Sequence, residues 1–276
     1  MLQHSTVVAG LIPVNDANVE KVIDAAFTDL AEKASTDAKK VTGEDVRKLG
    51  YTEDHARFVS QRLKEAGFPV VRKVTGELKG IGYVVNRDSK GVQHHKLRVL
   101  LGEDLLSLDL SGEYAQRLAV KLEGVLADGV EGAISISAFA EVIDRNGRKF
   151  ANHIAAVKNS RGEEIKAVKD HFRIVQEQVT EATAKIRSAE AKAGERKAIK
   201  VEYFAALVQE LAAQRPIPEA SAAREESDPT PKPVSQAPAQ AREKLAQLNR
   251  QFKGQVPPRA AQAAAQAPRI PARAAR

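Results

Sequence analysis

The sequence predicts an α+β protein: helices at the front, a small antiparallel β-rich unit in the middle, helices again behind, and a basic tail that builds no core. Three observations lead there. Apolar residues recur at three- and four-residue spacing over residues 16–35, 42–66 and 170–213, the pattern of helices with one buried stripe. They alternate with period two over residues 134–142, and Asp144-Arg145-Asn146-Gly147 follows as a hairpin turn, because Asn-Gly suits positive φ. From Pro216 onward Ala, Pro, Gln and Arg dominate, with too little apolar mass to offset chain entropy.

The first helix, residues 16–35, carries Val19, Val22, Ile23, Ala26, Phe27 and Leu30 on one face, with Asn15 or Asp16 as its cap. Met1 to Val14 has an apolar patch without a basic lead and does not read as a secretory signal. Thr42 caps a short helix with Asp45 as capping-box partner; Val46 and Leu49 anchor it and Gly50 ends it. Thr52 opens the next helix, whose buried stripe is Ala56, Val59, Leu63 and Ala66, closed by Gly67. Residues 69–74 then read as a strand, 76–80 as a turn and 81–86 as a return strand. Strands follow at 95–101 and 105–110, a helix from Ser111 buries Tyr114, Leu118, Leu122 and Val125, and the hairpin 134–157 completes the middle unit.

Over residues 170–213 the positions Phe172, Val175, Val179, Ala182, Ile186, Ala189 and Ala193 form a heptad seam, which predicts homodimerisation through residues 172–211 or an intramolecular helical hairpin. A second stripe runs through Val201, Phe204, Val208 and Leu211. In the tail, residues 241–253 bring Leu245, Leu248 and Phe252 onto one helical face, a segment that could fold on a protein partner. The expected divisions are residues 1–90, 91–168, 169–215 and a disordered tail, 216–276.

The stretch V-T-G-E-D-V-R-K-L-G-Y-T-E-D-H-A-R-F-V-S-Q-R-L-K-E-A-G-F, with V-V-R-K-V, the G-E-L-K-G tip and I-G-Y-V-V after it, resembles the winged helix-turn-helix domains of bacterial, plasmid and phage DNA-binding regulators. The resemblance covers about a quarter of the chain. It implies duplex DNA as partner, a role in regulation or in plasmid or phage maintenance, and dimerisation through the later helices. The recognition helix would be the one opened by Thr52, with Arg57, Phe58 and Gln61 toward base edges and Arg62 and Lys64 toward phosphate. Arg72, Lys73, Lys79 and Arg87 would form a basic wing that positions the domain without reading sequence. Glu53 and Asp54 suit the helix dipole but repel phosphate.

Charge distribution agrees with a nucleic-acid partner. The formal charge is +7, yet residues after Asp228 alone carry +8, so the body is close to neutral and its positive charge is concentrated in residues 39–90 at +5. A second reading places single-stranded nucleic acid on the middle unit, with Phe139, Phe150, Arg148 and Lys149 as a stacking and charge surface, although Phe139 on an alternating strand also suits core packing. A third is a scaffold or adaptor.

Catalytic, cofactor and metal chemistry find no foothold in the sequence. With no cysteine, disulfides and thiolate metal sites are excluded, which fits a reducing cytosol. His94 and His95 would face opposite sides of a strand, and His55, His153 and His171 have no ligand-spaced partner. Gly76 to Gly82 lacks the Gly-Lys-Ser/Thr ending of a phosphate loop, and Ser5, Ser60 and Ser111 sit in no nucleophile elbow. No apolar run approaches the ~18 residues of a membrane span.

Overall fold

The computed structural model describes residues 1–218 apart from Asn15, Asp37, Ala38, Ser89, Asn146 and Gly147. Two short strands open the chain, β1 (Leu2–Ser5) and β2 (Gly10–Pro13). The sequence does not mark them, because four residues are too few to display alternation. Three helices follow, α1 (Ala17–Ala34), α2 (Gly43–Lys48) and α3 (Glu53–Glu65). Each begins at a side chain that satisfies free amides of its first turn. Asp16 accepts from Asn18 and Val19, Thr42 and Asp45 form a reciprocal capping box, and Thr52 accepts from His55. Gly50 and Gly67 sit at φ 77° and 87°, the left-handed conformation that lets the chain leave α2 and α3. Val19, Ile23, Phe27, Val46, Val59 and Leu63 close a core of their own with Val8 and Ile12. Two expected core members are not in it: Leu49 is 71% exposed, and Ala66 faces solvent.

The remaining elements are β3 (Lys73–Arg87), β4 (Gln93–Leu101), β5 (Asp104–Asp109), α4 (Glu113–Ala127), β6 (Ala133–Arg145), β7 (Arg148–Lys158), α5 (His171–Thr183) and α6 (Ala189–Gln214). The protein is therefore α+β, built on one curled seven-stranded sheet of order β2-β1-β5-β4-β3-β6-β7. All ladders are antiparallel except β1 with β5. The curl is tight enough that Leu11 of β2 exchanges two backbone hydrogen bonds with Val71, just before β3, at 2.8 and 2.9 Å. Leu97, Val99, Leu106, Leu108, Leu118, Leu122, Phe204 and Val208 belong to the main core, where the sheet meets α4, α5 and α6.

β3 is where the structure corrects the sequence reading. The strand–turn–strand wing expected over residues 69–86 is one continuous strand of 15 residues, the spine of the sheet. Its first part pairs with β6 and its second with β4. The glycines read as a turn serve close approach instead. A Cβ on Gly76 would lie 2.8 Å from the Gly102 amide nitrogen, and one on Gly80 would lie 2.5 Å from Ile217 Cα. A bulge between Leu78 and Gly80 also switches the strand's parity, so that Val74 and Leu78 are buried before it and Ile81 after it. That switch breaks the period-two signal and makes one bent strand look like two. Arg72, Lys73, Lys79 and Arg87 are consequently strung along about 50 Å of extended chain rather than gathered at a tip.

The single helix expected over residues 170–213 is two, α5 and α6, with Ser188 capping α6. The first part of the heptad seam is used inside the chain: Val175 and Val179 are each 1% exposed, and the Phe172 ring lies 5.4 Å from that of Phe204. Ala182, Ala189 and Ala193 are exposed. His171, 1% exposed, ties three helices together, with Nδ1 2.9 Å from the Tyr203 hydroxyl and Nε2 2.7 Å from Glu123 Oε2. The chain beyond α6 does not leave the fold at once, because Pro216 bridges to Ile81 in parallel. The tail beyond Pro218, including residues 241–253, and the Asn146-Gly147 turn lie outside the described residues. Among the described residues, no helix is long and apolar enough to cross a membrane.

Candidate nucleic-acid interface

Two surfaces carry the residue types that nucleic acid requires. The first is the outer face of α3. Its N-terminal turn holds Glu53 and Asp54, and Arg57 Nη1 lies 3.8 Å from Asp54. Gln61 donates to Glu65 Oε1 at 3.0 Å. Arg62 reaches Asp29 of α1 at 2.6 Å and Glu65 at 3.6 Å. Phe58 is partly buried against the helical core, with Lys33 Nζ 4.3 Å and the Arg62 guanidinium 5.4 Å from its ring centroid. Lys64 is exposed. Arg57, Gln61 and Arg62 thus each have a carboxylate partner on the protein, and Phe58 serves packing.

The residues expected as a wing stand apart from one another. Arg72 donates to the Ala9 carbonyl at 2.8 Å and so secures the start of β3 to the turn before β2. Lys79 is exposed at the bulge, and Arg87 is exposed where β3 ends. Lys73 lies opposite Ser137 in the β3–β6 register and so shares that residue's face of the sheet.

That face belongs to the second surface, the β6–β7 hairpin. Alternation divides it cleanly near its root. Ile134, Ile136 and Ala138 of β6 and Ala155 and Val157 of β7 are buried on the inner side. The opposite side carries Ser137, Phe139, Glu141 and Ile143 on β6, paired with Ala156, Ile154, Asn152 and Phe150 on β7. Phe139 is 36% exposed and Phe150 52%, and they are the exposed phenylalanines among the described residues. From Glu141 outward the described residues include none that is buried, so the hairpin projects as an arm. Core packing, the alternative for Phe139, is not its use. Lys73 and Lys158 lie on the same face nearer the root, opposite Ser137 and Ser135. Side-chain placements of Arg148 and Lys149 at the tip fall outside the described residues. Arg117 of α4 braces the arm from the side, donating to Asn152 Oδ1 at 2.7 Å.

The histidines of β4 behave as adjacent strand residues do. His94 turns toward Asp109 at 3.0 Å and Asp88 at 3.5 Å, while His95 turns to the Tyr83 hydroxyl. Burial alone would push the Asp109 carboxyl up, but hydrogen bonds from Ser111 and His94 outweigh it and hold that group below its usual range. His94 therefore fastens the β3–β4 turn.

Sequence reasoning named Phe139 and Phe150 but missed Lys158, whose membership of this face follows from a register that no local pattern prints. Among known proteins the chain matches no family model, no curated sequence and no solved structure.

Proposed function

We propose that this protein binds single-stranded nucleic acid along the outer face of the β6–β7 arm, with bases stacking on Phe139 and Phe150 and with Lys73 and Lys158 meeting the backbone. The observation that carries this reading is the pair of exposed rings on one face of a projecting hairpin. An exposed aromatic ring loses the stabilisation of burial, and a base supplies a flat partner for it, at about 1–3 kcal/mol per stacked base. Topology adds support. The order β5-β4-β3-β6-β7, with α4 between β5 and β6 and a long strand shared by both halves, is also the order of five-stranded Greek-key barrels of the OB type, which bind single strands through an outer strand face and hairpin loops. Strand order alone does not confer activity, so the rings and charges bear the weight. The basic tail, at +8 beyond Asp228, would add a salt-sensitive and sequence-independent term.

A second reading keeps duplex DNA on α3. It is favoured by the packing of α1, α2 and α3 as a helical unit with Arg57 77% exposed on its side chain, and it loses the wing that the resemblance implied. Fluorescence anisotropy of the full chain against oligo-dT and random duplex over a salt series separates the two. The single-strand reading expects oligo-dT to bind more tightly and Phe139→Ala/Phe150→Ala to weaken it. Duplex preference abolished by Arg57→Ala/Gln61→Ala, with the phenylalanine variant unaffected, would return the activity to α3.

A further inference from the structure

A cavity of about 470 Å³ lies where the helical unit meets the sheet, lined by His4 of β1, Phe27 of α1, Arg47 of α2, Tyr51 and His55 at the start of α3, and His153 of β7. This volume falls in the range of small-molecule pockets, roughly 300–1,000 Å³. Rings dominate its lining. His4 stacks on Tyr114 with centroids 4.2 Å apart and planes 7° apart, and meets His153 edge-on at 5.1 Å. Tyr51 meets His153 edge-on at 5.8 Å.

Three imidazole nitrogens here, His4 Nε2, His55 Nδ1 and His153 Nδ1, are shielded from solvent and have no hydrogen-bond partner among the described residues. Buried polar atoms are ordinarily satisfied, so three orphans around one cavity point to an occupant. Burial, aided by neighbouring positive charge, lowers the His4 pKa to about 3, and burial lowers that of His153 as well. Both rings are therefore neutral near pH 7, and a neutral imidazole offers one donor and one acceptor. Among the described residues no three His, Asp or Glu side chains converge closely enough to hold a metal ion. A flat heterocycle with mixed donors and acceptors on its edge fits what remains, and that is the chemistry of a nucleobase.

We propose that this cavity binds one nucleobase, flanked by Phe27 and Tyr51 and hydrogen-bonded by the three histidines. The base comes either from a free nucleotide or from a bound strand. The inference does not rest on the arm: His153 is on the opposite side of the hairpin from Phe150.

The test is calorimetric titration of the full chain with the common nucleoside monophosphates and, separately, with oligo-dT, alongside long-range ¹H–¹⁵N spectra of the histidine rings. Tyr51→Ala and His55→Ala are the variants, because neither residue belongs to an apolar core. At least one mononucleotide is expected to bind, to shift the His ring nitrogens, and to bind 10-fold or more weakly to either variant but not to Phe150→Ala. Loss confined to mononucleotides identifies a free nucleotide; a parallel loss for oligo-dT identifies a base of the strand. No mononucleotide binding at millimolar concentration, or binding indifferent to both variants, overturns the pocket. A loss of oligo-dT binding in Phe150→Ala alone bears on the arm and leaves the pocket standing.

Discussion

Helix α3 and the β6–β7 arm both look like nucleic-acid surfaces in the sequence, and they differ in how completely the protein satisfies them. On α3 the cations find carboxylates: Arg57 beside Asp54, and Arg62 between Asp29 and Glu65. Such exposed pairs contribute little stability, but a phosphate would have to compete with them. On the arm, Phe139 and Phe150 stay open to solvent on a hairpin that sends its other face inward. Charge composition alone does not distinguish an interface from a self-neutralised surface. What distinguishes them is whether the groups already have partners.

The largest effect expected is on the helical unit's own core. Leu63→Ala, at a side chain 0% exposed, should cost about 2–5 kcal/mol. Because Leu63 packs in a core separate from that of the sheet, hydrogen exchange should show α1–α3 loosening while β3, β4 and β5 retain protection. Equal loss of protection throughout would mean that the two cores unfold as one.

Next come the rings of the arm. Phe139→Ala and Phe150→Ala should each weaken oligo-dT binding by about 1–3 kcal/mol, read by anisotropy, with melting temperatures close to wild type since both rings are exposed. A fall in melting temperature without a change in affinity would make them packing residues after all.

Acid should act where the two regions meet. The folded His4 pKa, about 3, lies below its unfolded value of 6.5. Between those values the unfolded chain binds more protons, so stability is lost as pH falls below about 6.5, by at most about 1.4 kcal/mol per pH unit for this one group. His4→Gln should flatten the fall in melting temperature between pH 6.5 and 5; an unchanged slope would assign the acid sensitivity to other groups.

The smallest effect belongs to α3. Arg62→Ala removes an exposed ion pair and a cation–π contact, so it should lower stability by about 1 kcal/mol and leave oligo-dT affinity unchanged. A large loss of nucleic-acid affinity would reverse the ranking of the two surfaces.

Local chemistry accounts for what could be read in advance. Thr42 with Asp45, Thr52, Gly50 and Gly67 bound their helices through atoms three or four residues apart, and Tyr114, Leu118, Leu122 and Val125 mark a helix by spacing alone. Phe139 and Phe150 could be named because strand alternation and aromatic type are visible in one dimension. Exposure of Phe139 could not, since alternation tells which residues share a side and not which side is covered.

The sequence by itself determined where the helices start and stop and which strand faces are apolar, because caps, turns and periodicity act over a few residues. Tertiary structure alone decided that residues 73–87 form one bulged strand, that Gly76 and Gly80 admit neighbouring backbones, that the seam through Val175 and Val179 is filled by the chain's own core, and that His4, His55 and His153 surround one cavity. Those outcomes depend on partners up to well over a hundred residues away in sequence, and a local pattern carries no information about what will be packed against it.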